Sequence, residues 1–322
     1  MNAHVDFDVS RITGLTADSR KVQKGFLFVA IPGVKVDGRT FIADAVASGA
    51  SYIAVIKGTE KMDIGSAEWI EVDQPRAFFA ETAAAFYRQQ PDYIVAVTGT
   101  NGKTSTVNFA RMIWAELGRK AASLGTLGLI GDGLHGYDGS TTPDSVGLFS
   151  TLQDVAQKGF THVAMEASSH GLEQHRLDGV KVKAGGFSNL TRDHLDYHGT
   201  MDVYFQAKLR LFSDVIADGG TAVINADIPE SSEIVRVSKA RGLRVVRYGF
   251  SEGAEIRIVD RRAVSTGQDL TLDVLGKSYA VHLNLVGAFQ AMNVLCAMGL
   301  VLSDSSVCVD DVIAALPHLP GV

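Results

Sequence analysis

The segment that most limits what this chain can become is VTGTNGKTS, Val97 to Ser105. An apolar run, YIVAVTG, stands directly before it, and a helical pattern from about Lys103 to Leu117 directly after. Strand, glycine-rich turn and helix in that order make an anion cradle. Glycines at 99 and 102 let the backbone turn tightly and aim N–H groups at a phosphate, the helix start adds positive dipole, and Lys103 adds a point charge. Thr104 can offer its hydroxyl to Mg²⁺. The longer G-x-x-x-x-G-K-S/T pattern would place glycine at position 97, where this chain has valine, so the tighter TGTNGKT form is what remains.

The rest of the chain reads as the α/β sheet such a loop needs. From Val5 to about Tyr87, FLFVAIPG and SYIAVI read as strands, FIADAVASGA and RAFFAETAAAFY as helices. Pro91 in QQPDY removes a donor and restricts its neighbour, which predicts the end of the helix and a domain boundary. At 322 residues two domains are expected, residues 1–88 and 89–318, with 319–322 opening a linker. From Tyr93 strands alternate with helices: YIVAVTG, AASLGTLG, a helix near Ser145 to Lys158, THVAMEAS, AGGFSNL, GTAVINA and RVVRYGF. That alternation predicts a mostly parallel sheet covered on both faces. EIRIVDRRAV, DLTLDVLG and SYAVHLNL instead alternate apolar and polar residues at period two, which predicts an antiparallel meander before a closing helix, GAFQAMNVLCAMGLVL.

Composition narrows the function classes. Hydrophobic residues at 46% and charged residues at 20% describe a folded globular chain, and a net charge of −6 argues against a broad basic face for nucleic acid. No apolar run reaches the roughly 20 residues a bilayer demands, and MNAHVDFDVS carries no leader pattern, so a cytoplasmic protein with no membrane association is expected. Cys296 and Cys308, both in apolar text, read as reduced core side chains.

Five ordered motifs now accompany one another: TGTNGKTS, STTPDS (Ser140 to Ser145), MEASSHGLEQHR (Met165 to Arg176), SNLTRDHLDYHG (Ser188 to Gly199) and YFQAK (Tyr204 to Lys208). Together they resemble the Mur ligases, most closely the MurE-type branch, and the resemblance runs from TADSR near residue 16 to the last residue. It implies a small N-terminal UDP-sugar-binding domain and a central ATP-binding domain. It further implies ATP-driven amide synthesis for peptidoglycan: the D-Glu side-chain carboxylate of UDP-MurNAc-L-Ala-D-Glu is phosphorylated, and a diamino acid, meso-diaminopimelate or L-lysine, displaces phosphate. A triphosphate and a carboxylate repel each other, so the chemistry needs cations and hydrogen-bond donors that hold the groups in line.

The site residues the resemblance implies carry weaker signals when taken alone. Gly99, Thr100, Asn101, Gly102, Lys103, Thr104 and Ser105 would bind ATP, with Asn293 of GAFQAMN near the adenine and Gln290 standing where the family has Asn. Glu166 follows the run THVAM, hence at a strand's carboxyl end, and would share Mg²⁺ with Thr104; by spacing it is equally a surface carboxylate. His194 sits among Asp193, Asp196 and His198, a polar loop or a metal cluster on its own, and the resemblance gives it a second Mg²⁺. Lys208 reads as an ordinary solvated helix lysine, and the resemblance makes it a carbamate that lends an anionic oxygen to that ion. Thr141, Thr142, Ser168, Gln174 and Arg176 would contact the muramoyl peptide, and Ser19, Asp37 and Gly38 the UDP; those last pieces alone are polar strand-end turns.

The family's third domain, which closes over ATP and holds the diamino acid, is absent from the text, since PHLPGV resembles the linker into it. A monomeric two-domain piece that binds substrate but ligates poorly is therefore expected. Three alternatives stand beside this: another Mur ligase or a folylpolyglutamate synthase, which lacks the UDP-binding domain; a UDP-sugar or nucleotide sensor without turnover; and a phosphate-loop phosphatase or GTPase, for which no guanine-reading motif is present. A hydrolase built on Ser168, Ser169 and His170 lacks an acid partner.

Overall fold

The computed structural model describes residues 7–33, 36–134 and 140–320. It divides into two compact units. One gathers the described residues as far as Gln89 with Pro143–Gln153 and Gln174–Val180; the other gathers Gln90–Thr142, Asp154–Glu173 and the chain from Lys181 on. A boundary near residue 88 treats each unit as one continuous stretch, whereas two later pieces of chain group with the first, an arrangement no local pattern announces.

The first unit is a four-stranded parallel sheet in chain order: β1 (Gly14–Thr16), β2 (Phe26–Val29), β3 (Tyr52–Ile56) and β4 (Glu68–Val72). Phe28, Ile53 and Val55 of its central strands bury against Ile42 and Ala45 of α1 (Ile42–Ala47). α2 (Pro75–Tyr87) opens on proline, whose missing N–H costs nothing at that position. It stops at Tyr87, where Arg88 turns to φ 56°, so the helix ends ahead of Pro91 and the left-handed residue, not the proline, is the stop.

The second unit is built on ten strands in the order β14-β13-β12-β11-β10-β9-β5-β8-β6-β7. These are β5 (Tyr93–Thr98), β6 (Ala121–Gly125), β7 (Gly128–Ile130), β8 (His162–Glu166), β9 (Val182–Phe187), β10 (Ile216–Asn225), β11 (Arg244–Gly249), β12 (Ile256–Val264), β13 (Gly267–Val274) and β14 (Lys277–Leu283). From β6 to β12 every neighbouring pair in the sheet is parallel. β12, β13 and β14 form the expected antiparallel meander, and β7 turns back on β6. β13 shows the physical basis of the period-two text: Leu270, Leu272 and Val274 are buried, alternating with half-buried Asp269, Thr271 and Asp273.

The chain leaves β5 for β6 and β8 on one side and returns to β9 on the other. Crossovers thus reverse direction at β5, and an open α/β sheet leaves a crevice at such a reversal, at the carboxyl end of the strand. The loop 99–102 stands there. α3 (Lys103–Glu116) packs against α9 (Ala288–Val301), and Phe109, Trp114, Leu295 and Met298 are fully buried between these helices and the sheet. The close approach of α9 depends on Gly186, where a Cβ would stand 2.9 Å from Cys296 Sγ. Cys296 is buried as expected, but Cys308 is exposed; it precedes α10 (Val309–Ala315), whose inward positions are Val312 and Ala315. The remaining helices are α4 (Ser145–Gln157), α5 (Ser169–Glu173), α6 (Leu195–His198), α7 (Met201–Arg210) and α8 (Ser231–Ala240). Among the described residues no helix is long and apolar enough to cross a membrane.

Candidate functional site

The loop after β5 passes through two left-handed glycines, Gly99 at φ 138° and Gly102 at φ 86°. A Cβ at Gly99 would stand 2.0 Å from Ser188 Oγ, and one at Gly102 2.3 Å from Asn293 Oδ1, so space as well as conformation requires glycine at both. The segment after β9 grips the loop from outside. Thr100 N–H donates to Asn189 O at 2.9 Å, Asn101 N–H donates to Asn189 Oδ1 at 2.9 Å, and Ser188 Oγ donates to Asn101 O at 2.6 Å. Two of the loop's N–H groups thus hold the turn in shape. The donors left for an anion are those of Gly102, Lys103, Thr104 and Ser105, at the start of α3, where a helix leaves its first N–H groups without internal partners.

Two lysines converge on one carbonyl. Lys103 Nζ donates to Gly99 O at 3.0 Å and to Thr100 O at 2.8 Å, and Lys208 Nζ, from α7, donates to the same Gly99 O at 2.8 Å. Lys208 is 1% exposed, and its Nζ lies 4.4 Å from the Tyr204 ring centroid. It is not the solvated lysine its helix spacing suggests. Burial, reinforced by the charge of Lys103, pushes the Lys208 amine down to about 6, and burial lowers Lys103 as well.

Glu166 ends β8 beside β5, and it is 1% exposed, so the surface-carboxylate alternative falls. Thr104 Oγ donates to its Oε1 at 2.9 Å, Thr126 N–H donates to the same oxygen at 2.8 Å, and Thr126 Oγ donates to Oε2 at 3.3 Å. Gly125 makes room, since a Cβ there would stand 2.2 Å from Oε1. Thr142 Oγ donates to Glu166 O at 3.0 Å and accepts from Ser168 N–H at 3.0 Å, while Ser168 Oγ accepts from Gly171 N–H at 3.0 Å. Thr141 and Thr126 share a hydroxyl contact of 3.1 Å.

His194 precedes α6 in the left-handed region at φ 50°, with its side chain 48% exposed. Its Nε2 stands 3.5 Å from Asp193 Oδ2, and its ring packs edge-on to His170 at 5.1 Å and to Tyr204 at 6.1 Å. Tyr204 thus neighbours both His194 and Lys208. His198 pairs with buried Ser169 at 2.9 Å, and burial first, then the charge of His170, lowers its pKa. Among the described residues no three His, Cys, Asp or Glu side chains converge on one point, so a cation here would draw on hydroxyl, phosphate and solvent oxygens too. Thr104 Oγ fits that use. Its hydrogen is committed to Glu166, which leaves oxygen lone pairs outward, and the 2.9 Å separation from Oε1 suits two adjacent ligands of an octahedral ion with bonds of about 2.1 Å.

The other expected residues divide between the units. In the second, Asn293 Nδ2 donates to Gln290 Oε1 at 3.1 Å, so the glutamine that replaces the family's Asn orients the neighbouring amide. In the first, Gln174 accepts from Arg176 at 2.7 Å, Ser19 begins a short turn capped by Asp18, and Asp37 caps the turn Gly38–Phe41. The Arg39 guanidinium beside Asp37 holds that carboxyl below its usual range, and Gly38 N–H donates to Ile31 O at 3.0 Å. Val34 and Lys35 of the PGVKVDG loop lie outside the described residues. Thr126 lies outside every motif of the sequence, and Ser188, Asn189 and Tyr204 stand within the motifs SNLTRDHLDYHG and YFQAK without a role assigned to them there. Position was the available signal: each lies just past a strand's carboxyl end or one helical turn before Lys208. A depression beside α8 and β11, lined by Ser231, Lys239, Arg247 and Glu255, contains none of the expected residues.

A largely parallel sheet with a glycine loop at its switch point, and a buried carboxylate on the adjacent strand facing the loop's threonine, defines an α/β protein of the phosphate-loop fold class. Residues 97–301 match the family model "Mur ligase middle domain" and residues 11–87 the model "Mur ligase family, catalytic domain". The chain belongs to the Mur ligase family. It is 49% identical over 293 residues to the UDP-N-acetylmuramoyl-L-alanyl-D-glutamate--2,6-diaminopimelate ligase of Zymomonas mobilis, covering 91% of this chain and 59% of that protein. The ligase of the same name from Bradyrhizobium diazoefficiens is 46% identical over 96% of this chain and 64% of its own length. A solved structure of a ligase with that name superposes with a TM-score of 0.86 at 30% identity, over 97% of this chain and 63% of the other. MurF from Acinetobacter baumannii, at 22% identity and a TM-score of 0.64 over 97% of this chain and 64% of that one, shares the fold. The chain thus spans about three fifths of the length of the relatives it matches.

Proposed function

We propose that this chain serves ATP-dependent amide ligation in cytoplasmic peptidoglycan precursor synthesis, of the MurE type. The γ-phosphate of ATP passes to the D-Glu side-chain carboxylate of UDP-MurNAc-L-Ala-D-Glu, and the amine of a diamino acid then displaces phosphate from the acyl phosphate. The names of the relatives favour 2,6-diaminopimelate as that diamino acid. The observation that carries the reading is the 2.9 Å contact of Thr104 with buried Glu166 beside the glycine loop. It sets a hydroxyl and a carboxylate side by side where triphosphate oxygens would lie.

In this reading the N–H groups of Gly102 to Ser105 and the Lys103 ammonium hold the phosphates, and Asn293, oriented by Gln290, meets the adenine. Thr104 and Glu166 would hold a Mg²⁺ ion, which when bound would supply charge neutralisation for the transferring phosphoryl group. His194 and Lys208 serve a second ion. Lys208 suits carbamate formation because a buried amine brought down to about 6 is largely neutral near pH 7. Its nitrogen lone pair adds to CO₂, the nitrogen loses a proton, and a neutral amine becomes an anionic oxygen donor. Ser19, Asp37 and Gly38 are assigned to the uridine diphosphate; Thr141, Thr142, Ser168, Gln174 and Arg176 to the muramoyl peptide.

Calorimetric titration with UDP-MurNAc-L-Ala-D-Glu and with UDP-MurNAc-L-Ala tests the reading. Micromolar binding that depends on the D-Glu is expected. Preference for the shorter ligand would reassign the chain to a sister ligase, and no binding of either would reject the substrate assignment.

A further inference from the structure

Thr126 belongs to none of the motifs that mark this chain, yet the polar contacts around Glu166 meet at it. Its N–H donates to Glu166 Oε1 at 2.8 Å and its hydroxyl to Oε2 at 3.3 Å. The same hydroxyl oxygen lies 3.1 Å from Thr141 Oγ. A carboxylate only accepts and a hydroxyl has one hydrogen, so Thr126 gives its hydrogen to Glu166 and Thr141 is the donor to Thr126. The chain of hydrogen bonds therefore runs one way, from Thr141 through Thr126 to the carboxylate.

The same loop holds the other end of that glutamate. Thr142, next in sequence, donates to Glu166 O at 3.0 Å and accepts from Ser168 N–H at 3.0 Å. Two adjacent threonines thus reach the carboxylate and the backbone carbonyl of one residue, while Thr104 on the nucleotide side donates to that carboxylate at 2.9 Å. Glu166 itself is 1% exposed, but Thr126 is exposed and Thr141 half-buried, so a ligand can touch the relay without touching the carboxylate.

We infer that Thr126 is a positioning residue that couples occupancy of the 140–142 loop to the orientation of Glu166, and hence to Mg²⁺-nucleotide binding. The chemistry also selects the contact. Thr141 can accept from a ligand N–H while still donating to Thr126, and hydrogen bonds in series polarise one another. A ligand carboxylate at the same place would take Thr141's one hydrogen and break the relay. Thr141 therefore meets an amide N–H of the peptide, and the peptide and the nucleotide bind with positive cooperativity. This rests on the proposed function for the identity of the two ligands.

The test is the affinity of the β,γ-imido analogue of ATP with MgCl₂, measured with and without saturating UDP-MurNAc-L-Ala-D-Glu, for the native chain, Thr126→Val and Thr126→Ser. The native chain should bind the analogue at least about 5-fold tighter when the peptide ligand is present. Thr126→Val, which keeps the N–H and the shape but loses the hydroxyl, should bring that factor below about 2-fold, and Thr126→Ser should restore it. Full coupling in Thr126→Val, or failure of Thr126→Ser to restore it, would overturn the relay. A native chain that binds both ligands independently overturns the inference and leaves the proposed function standing; one that binds neither overturns both.

Discussion

Glu166 and His194 are two of the side chains on which the proposed cation chemistry leans, and the fold treats them in opposite ways. Glu166 closes a central parallel strand, is 1% exposed, and accepts three hydrogen bonds at its carboxylate. His194 stands on a turn at φ 50°, 48% exposed at its side chain, with Asp193 as its charged neighbour. A buried carboxylate left without its donors carries a desolvation penalty, so its hydrogen bonds contribute to the stability of the fold. An exposed imidazole is indifferent to folding and takes its final geometry from whatever it binds. In the proposed function the first is therefore a framework residue as well as a binding one, and the second a binding residue only.

Replacing Glu166 by alanine should show the largest effect. The Thr126 N–H and the Thr104 hydroxyl lose their acceptor, at about 1 kcal/mol for each of these part-buried hydrogen bonds, so a loss of about 2 kcal/mol in urea unfolding is expected. Mg²⁺-dependent affinity for a nucleotide should fall about 100-fold in the same variant, equivalent to about 2.7 kcal/mol. A stability change below about 0.5 kcal/mol would erase the contrast with His194.

Lys208 extends the contrast to pH. Its folded-state pKa, about 6, lies below the unfolded value of 10.5, so between those values the unfolded chain binds more protons. Stability should rise with pH through that window and fall as pH drops toward 6, with Lys103, also lowered, adding in the same direction. Lys208→Met should flatten this dependence and raise stability at pH 7 by about 2 kcal/mol in CO₂-free buffer, read from melting curves across the range. A slope unchanged by the substitution would place the titrating group elsewhere.

Gly102→Ala puts a Cβ 2.3 Å from Asn293 Oδ1 on a residue at φ 86°, and a cost of about 1–2 kcal/mol is expected from the backbone conformation alone. Adding Asn293→Ala should recover the part due to contact and leave the conformational part, a double-mutant cycle that separates the two. His194→Ala should be the mildest, within about 0.5 kcal/mol of the native chain in unfolding. A loss of 2 kcal/mol or more there would make His194 a framework residue too.

Much of this was legible in the text. The phosphate loop announced itself because its neighbours in sequence are its neighbours in space. The period-two text of 256–283 also became the antiparallel meander it suggested. β1, with three residues, and β4, with glutamates at Glu68 and Glu71, are too short or too charged to read as strands, and α8 passed unremarked although Ile234 and Ser238 line its inward face. The site divides the same way. Lys103 and Thr104 followed from local pattern, whereas the burial of Lys208 is decided by the distant carbonyl of Gly99, and spacing along α7 says nothing of it. Thr126 was invisible for a further reason: a lone threonine after a strand carries no motif, and its partner Glu166 lies 40 residues on in sequence.

The central claim is that this chain binds a Mg²⁺-nucleotide through the glycine loop and Glu166. Calorimetry with the β,γ-imido analogue of ATP, in MgCl₂ and in EDTA, on the native chain and on Glu166→Gln, tests it most directly. Micromolar binding by the native chain, at least about 10-fold weaker in EDTA, is expected, with no difference between the two buffers for Glu166→Gln. Equal affinity in both buffers for the native chain, or full Mg²⁺ dependence in Glu166→Gln, would contradict it.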